Sequence, residues 1–256
     1  MTGFALAVHQ FRYDQKVFWR NPASVFFTVM FPVMFLVLLG VIVDGQTIHA
    51  QGGIDATIYF VPAVITLALV SATTVNLAMS LTILREGGIL KRLRGTPLPG
   101  WVFIAGRIGN AIVTALLMFV LVTALGRILF GVPVPWSRLA ELLVALIVGS
   151  ASFCALGVAL TAIIPSREAA PAITNLVVFP LYFLSGVFIP ESEIPDGVLH
   201  VANVFPVRHL FDALLAGFDP ATATSGFEAG HLAVVAAWGL AGLAIASRRF
   251  RWEPRI

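Results

Sequence analysis

Charge is scarce in this chain. Asp, Glu, Lys and Arg make up only 11% of its 256 residues, where a soluble globular domain carries about 25%. Hydrophobic residues reach 59% and mean hydropathy is +0.94. A chain this apolar has the bilayer as its solvent. The formal charge of +3 and a pI near 9.5 therefore read as basic residues held at one membrane face. Nucleic-acid binding is excluded for want of a polar domain to host it. Cysteine is nearly absent. Cys154 stands alone inside an apolar run, so it forms no intrachain disulfide and reads as a small packing residue. Lysine occurs twice beside fourteen arginines, which reads as genome bias.

Catalytic motifs are missing as well. No Gly-Lys pair occurs, so the phosphate-binding G-x-x-x-x-G-K-[ST] loop is absent and the chain is not its own ATPase by that route. His9, His49, His200, His209 and His231 are scattered, with no H-E-x-x-H, and no metal site is read. Leu184-Ser185-Gly186 approaches a G-x-S-x-G elbow by composition only, which leaves a membrane hydrolase little support. Span centres hold no ionisable group. Arg107 and Arg127 fall near opposite ends of the third apolar stretch, and Arg138 and Glu141 open the fourth, so proton or sodium coupling within the chain is not expected.

What is present is a run of long apolar segments. A crossing needs about 20 helical residues at a rise of ~1.5 Å each. Six segments qualify: 24–43, 58–84, 103–130, 139–164, 169–188 and 229–247. Pro22 and Asp44-Gly45 bracket the first, Pro165 ends the fourth, and Pro180 is expected to kink the fifth. The second and third are long enough to tilt or to project beyond the bilayer. No cleavable leader is read, because Arg12, Asp14, Lys16 and Arg20 fill the region before the first span and no small-residue cleavage site follows it. Thirteen of the sixteen basic residues fall on the side holding both termini, the 85–101 loop and the 165–168 turn; Arg127, Arg138 and Arg208 fall on the other. That asymmetry predicts cytoplasmic termini.

Two further regions depart from simple spans. In residues 3–20, Phe4, Val8, Phe11, Gln15 and Phe18 recur every three or four residues beside a stripe of Arg12, Lys16 and Arg20. This predicts an amphipathic helix (1–22) on the inner leaflet. Residues 189–228 are too polar to span and too long for a turn. Pro190, Pro195 and Pro206 divide them, Glu191, Glu193, Asp196, Asp212, Asp219 and Glu228 supply acid, and apolar residues such as Phe205, Leu210 and Phe211 persist. Short helices re-entering the outer leaflet, or lying across it, are expected there. The whole chain, 1–256, reads as one membrane domain.

Two sets of residues carry functional expectation. Thr73, Asn76 and Ser80 share a face of the second span, and Asn175, Tyr182 and Ser185 line the fifth in a similar way. They serve either as a mildly polar substrate lining or as interhelical hydrogen bonds. Ala151, Ala155 and Ala159, with Gly239, Gly242 and Ala246, read as close helix packing. The other set is the polar loop Arg85-Glu86-Gly87-Gly88-Ile89-Leu90-Lys91-Arg92-Leu93-Arg94-Gly95-Thr96-Pro97, wedged between two spans. Its basic charge pins it to the cytoplasmic side, and it is the right size for a short surface helix.

That loop, continued by Leu98-Pro99, resembles the R-E-x-G-x-x-x-x-L-x-x-T-P-L segment of the type-2 ABC transporter permeases, in particular the compact drug-efflux permeases. Leu184-Ser185-Gly186-Val187-Phe188-Ile189-Pro190 looks like the family's L-S-G-x-F-x-P signature, and the opening helix ending Arg20-Asn21-Pro22 is similar to its interfacial helix. The resemblance implies a six-span permease that works as a dimer, identical or related, with a pathway at the interface. It implies a separate ATPase subunit holding ATP and Mg, and no cofactor in this chain. The 85–99 segment would be the coupling helix, with Arg85, Glu86, Gly87, Gly88, Leu90, Arg92, Leu93, Thr96 and Pro97 engaging the ATPase. The expected activity is export of hydrophobic or amphiphilic compounds. Polysaccharide or glycolipid export is the alternative cargo, and a stand-alone membrane sensor or enzyme is the alternative class.

Overall fold

The computed structural model describes residues 3–43, 45, 47–48, 54–96, 99–189, 194–219 and 228–254. Asp44, His49, Pro97, Leu98, Pro190, Glu191, Glu193 and Arg255 lie outside the described residues, as do the side chains of Phe4 and Asp196. Helix α1 (Gly3–Trp19) precedes α2 (Pro22–Val25), which runs through a π-helical turn, Phe26–Met30, into α3 (Phe31–Val43). Two strands of two residues, β1 (Thr47–Ile48) and β2 (Ile54–Asp55), pair antiparallel and lead into the next helix. This small hairpin is the one departure from an all-helical chain among the described residues. Helix α4 (Ala56–Val70) starts where the Asp55 carboxylate accepts the Thr57 amide at 2.8 Å. It continues through a second π turn, Ser71–Val75, into α5 (Asn76–Glu86).

The short α6 (Ile89–Arg94) is followed by α7 (Gly100–Phe130), α8 (Leu139–Leu160), α9 (Ala170–Leu184), α10 (Asp196–Ala202), α11 (Pro206–Phe218) and α12 (Ala229–Arg249). Among the described residues, four stretches are long and apolar enough to cross a membrane: Ala56–Glu86, Gly100–Phe130, Trp136–Leu160 and Ala229–Arg249. Thr28–Val43 and Ala170–Leu184 are shorter apolar helices. The chain is a helical membrane protein.

The α4–α5 rod is the most enclosed element. Tyr59, Val61, Ala63, Ala68 and Ala78 are fully buried along it. Helix α8 crosses the rod at its π turn, where Gly157 lies directly on the Thr73 and Thr74 backbone. Helix α12 packs on α8 through small residues: a Cβ on Gly239 would fall on Ser152, and one on Gly242 on the Ala155 and Leu156 backbone. Ala159 and Ala246 join the packing nearby, while Ala151 is exposed.

The fifth apolar segment, read as 169–188, ends at Leu184. Gly186 takes φ +83, a conformation that stops the helix. Its carbonyl accepts a 2.6 Å hydrogen bond from the buried Tyr59 hydroxyl. Phe188 then turns back against Phe183, Phe35 and Tyr182 at centroid distances of 4.9, 5.2 and 6.0 Å. The small and aromatic positions of Leu184-Ser185-Gly186-Val187-Phe188 thus have a local physical cause. Beyond it, α11 does not lie on the surface. Leu210, Phe211 and Leu214 are buried in the main core, with Phe211 edge-on to Tyr59 at 5.1 Å.

Candidate functional site

Three chain segments meet at one end of the bundle. Helix α1 packs on the start of α7, with Gln10 against Gly106 and Phe11 against Gly109. Trp252, just past α12, covers Gly100. The loop between α5 and α7 lies beside them. Within that loop, Gly88 adopts φ +69, which favours glycine, and reverses the chain into α6. Leu90 is fully buried and Leu93 half-buried, packed in one cluster with Leu77, Leu81 and Phe103. Ile89, Lys91, Arg92 and Arg94 are exposed. The Thr96 hydroxyl donates to the Leu93 carbonyl at 2.7 Å and closes the helix. A cleft of about 370 Å³ opens between Leu93, Arg94, Pro99, Phe103 and Trp252. The helix is therefore an anchored basic ridge with a cleft at its flank.

Arg85 and Glu86 are not part of that ridge. They close α5, and Arg85 is 1% exposed. Its Nη1 donates to the Thr161 carbonyl at 2.8 Å and its Nη2 to the Ile164 carbonyl at 2.6 Å, while Nε pairs with Glu86 at 2.6 Å. The guanidinium thus satisfies carbonyls at the C-terminal end of α8 that no helical amide reaches, where cations are favoured. Sequence reasoning grouped Arg85 with the exposed arginines. Nothing in its composition or spacing separates it from Arg92; only the approach of α8 does.

The six polar positions read as a lining do not share one surface. The Thr73 hydroxyl is buried and donates to the Leu69 carbonyl of its own helix at 2.7 Å. Asn76 and Ser80 face a small cavity of about 100 Å³ between α1, α5 and α7, with Asp14, Arg107 and Asn110. The Asp14 carboxylate takes a hydrogen bond from Gln10 at 3.1 Å and lies 3.4 Å from the Arg107 guanidinium. Burial pushes its pKa above the usual carboxylate value, and Arg107 and Gln10 pull it part of the way back. Asp14 Oδ2 and Asn110 Oδ1 are buried there without a protein hydrogen bond. Tyr182 is buried with its hydroxyl 3.0 Å from Ser71 Oγ and 3.2 Å from the Leu67 carbonyl, which crosslinks α9 to the π turn. Ser185 donates to the Tyr182 carbonyl at 2.8 Å. Asn175 is exposed on α9 beside Leu176 and Val177. The histidines read as scattered are partly gathered: His209 and His231 touch across α11 and α12.

The fold and the loop define a polytopic helical membrane protein with an anchored surface helix between its second and third apolar segments. A family model for the ABC-2 type transporter matches residues 9–218. The chain belongs to that family of ABC permeases, transmembrane subunits without an ATPase domain that pair with an ATPase subunit. It is 22% identical over 185 residues to the inner membrane transport permease YadH of Escherichia coli K12, covering 72% of this chain and 71% of YadH. It is 23% identical over 159 residues to the probable multidrug ABC transporter permease YbhR of the same strain, covering 62% of this chain and 43% of YbhR. Nodulation protein J of Rhizobium meliloti strain 1021 is 30% identical over 79 residues, which cover 31% of this chain and 30% of that protein. The chain thus spans under half the length of two of these three relatives.

Proposed function

We propose that this permease exports hydrophobic or amphiphilic compounds, drug-like or lipid-like, across the inner membrane, driven by an ATPase docked on α6. The chain crosses the membrane six times with both termini cytoplasmic, and two copies or related chains enclose the pathway. The observation that carries the docking is the ridge itself. Leu90 and Leu93 root it, Lys91, Arg92 and Arg94 face outward, and the adjacent cleft can receive a side chain from the ATPase. Gly88 supplies the turn at its base, and the Arg85 clamp carries any displacement of α5 into α8. Energy enters as differential binding of the ATPase to two states of the permease. The likeness to the inner membrane transport permease YadH supports an inner-membrane location, and that to the probable multidrug permease YbhR supports a drug-like cargo. The absence of ionisable side chains from the centres of the apolar segments suits a lipid-like or amphiphilic cargo better than an ion.

The test replaces the exposed ridge and leaves its roots in place. Lys91→Glu with Arg92→Glu is expected to lose at least ten-fold of the co-purifying ATPase while membrane insertion and thermal stability stay at the parental level. Undiminished recovery of the ATPase with the double variant would sink the docking assignment. Glu86 is unsuited to this test, because its loss also disturbs the buried Arg85.

A further inference from the structure

At the end of the bundle away from α6, α11 and α12 face each other through three potential metal ligands. His209 Nδ1 lies 2.8 Å from His231 Nδ1, and His231 Nδ1 lies 3.8 Å from Asp212 Oδ2. One ligand atom from each of the three falls within 4.8 Å of the other two. Residue 231 is about 27 Å along α12 from its C-terminal end, at a rise of ~1.5 Å per residue.

The tautomer of His209 is set by its other nitrogen. Nε2 lies 2.7 Å from the Asn203 carbonyl oxygen, which only accepts, so Nε2 carries the proton. Nδ1 is then a lone pair aimed at His231. A ring N–H held by a backbone carbonyl is the usual outer support of a metal-binding imidazole. The His231 Nδ1 proton can bridge the two rings, but Asp212 then stays beyond hydrogen-bond range of it. A divalent cation uses both lone pairs and takes the carboxylate as well. Zinc–nitrogen bonds of about 2.0–2.1 Å in a tetrahedral site place ligand atoms roughly 3.3 Å apart. The observed 2.8 and 3.8 Å bracket that spacing, and the third pair lies within 4.8 Å, so side-chain adjustment alone brings the three ligands onto one ion. Water would take the fourth position. Glu228 lies within electrostatic reach of His231 and adds negative charge, while Arg208, 3.6 Å from Asp212 Oδ2, opposes the cation and limits affinity.

We infer that His209, His231 and Asp212 form a zinc-type divalent cation site that fastens α11 to α12. The same corner is already joined by Trp238, whose indole N–H donates to the Val204 carbonyl at 2.7 Å and whose ring stacks on Phe205 at 6.0 Å. A cation there adds a second fastening between α11 and α12. Imidazole and carboxylate ligands favour zinc or a neighbouring transition metal over calcium or magnesium.

The experiment uses the full chain, purified in detergent without a histidine tag and stripped with chelator, then titrated with Zn²⁺ against a chromophoric competitor. The expected result is one Zn²⁺ per chain, with His209→Ala and His231→Ala each weakening binding at least about ten-fold. Cobalt loading of the unmutated chain gives a readout that needs no variant: tetrahedral Co²⁺ bands should appear and be bleached by Zn²⁺. Hydrogen exchange in α11 should slow when Zn²⁺ is added. No stoichiometric uptake by the unmutated chain, or equal binding by the doubly substituted one, overturns the site.

Discussion

At the residue scale, the side chain with most resting on it is Arg85. It ends one rod and completes another, because its two terminal nitrogens serve the Thr161 and Ile164 carbonyls. Hydrogen bonds to charged groups contribute about 1.5–3 kcal/mol each. Arg85→Ala strands both carbonyls and leaves Glu86 without its 2.6 Å partner, so a loss of about 3 kcal/mol is expected. Arg85→Lys keeps the charge but lacks the planar fork, and should fall between the two. Denaturant unfolding of the purified chain measures this. Both variants within about 0.5 kcal/mol of the parent, the range of ordinary surface changes, would contradict the clamp. The exposed Arg92 supplies the contrast, since its replacement should leave stability unchanged.

At the scale of elements, helix contacts turn on a few glycines whose surroundings differ. A Cβ at Gly157 would sit 2.9–3.0 Å from the Thr73 and Thr74 backbone, atoms that cannot swing aside. Helix propensity favours alanine over glycine by about 1 kcal/mol, but overpacking typically costs about 1–3 kcal/mol. Gly157→Ala should therefore destabilise. At Gly109 the nearest atom is Phe11 Cδ2 at 3.6 Å, ordinary contact, so Gly109→Ala should stabilise by up to about 1 kcal/mol. Opposite shifts in apparent Tm in one detergent are the expected outcome; a rise at both positions would mean that α8 is not held against the π turn.

The same elements mark how much was legible beforehand. The second and third apolar segments, read as 58–84 and 103–130, are observed at Ala56–Glu86 and Gly100–Phe130, because hydropathy and flanking charge alone set their ends. The fifth stops early at the positive φ of Gly186, and the bond that its carbonyl takes from Tyr59, 127 residues away, lies outside any local window. The π turns at Phe26–Met30 and Ser71–Val75 have no compositional mark, and His209 meets His231 only after α11 folds back. Hydropathy is a local property, whereas these features arise from packing.

At the scale of the whole molecule, the question is what covers its outer faces. Lipid suits aliphatic surface such as Leu240 and Leu243 on α12 or Val120 and Ile128 on α7. It does not suit an amide in mid-helix, which lipid leaves without partners. Asn175 is such an amide, exposed on α9 among Leu176, Val177 and Phe179. A second permease chain, or the pathway it encloses, would explain a polar group on that face. The single native cysteine makes the idea testable without further engineering, because Cys154 is fully buried and will not crosslink. Asn175→Cys, oxidised in native membranes, should give a disulfide-linked dimer on a non-reducing gel, whereas Leu240→Cys on α12 should remain monomeric. A two-fold axis passing beside residue 175 would set it against its own counterpart, as only residues close to such an axis are. A lipid-facing cysteine has no such fixed neighbour and links only through chance encounters. Equal crosslinking at the two positions, or none at 175, would place the two-fold axis away from Asn175.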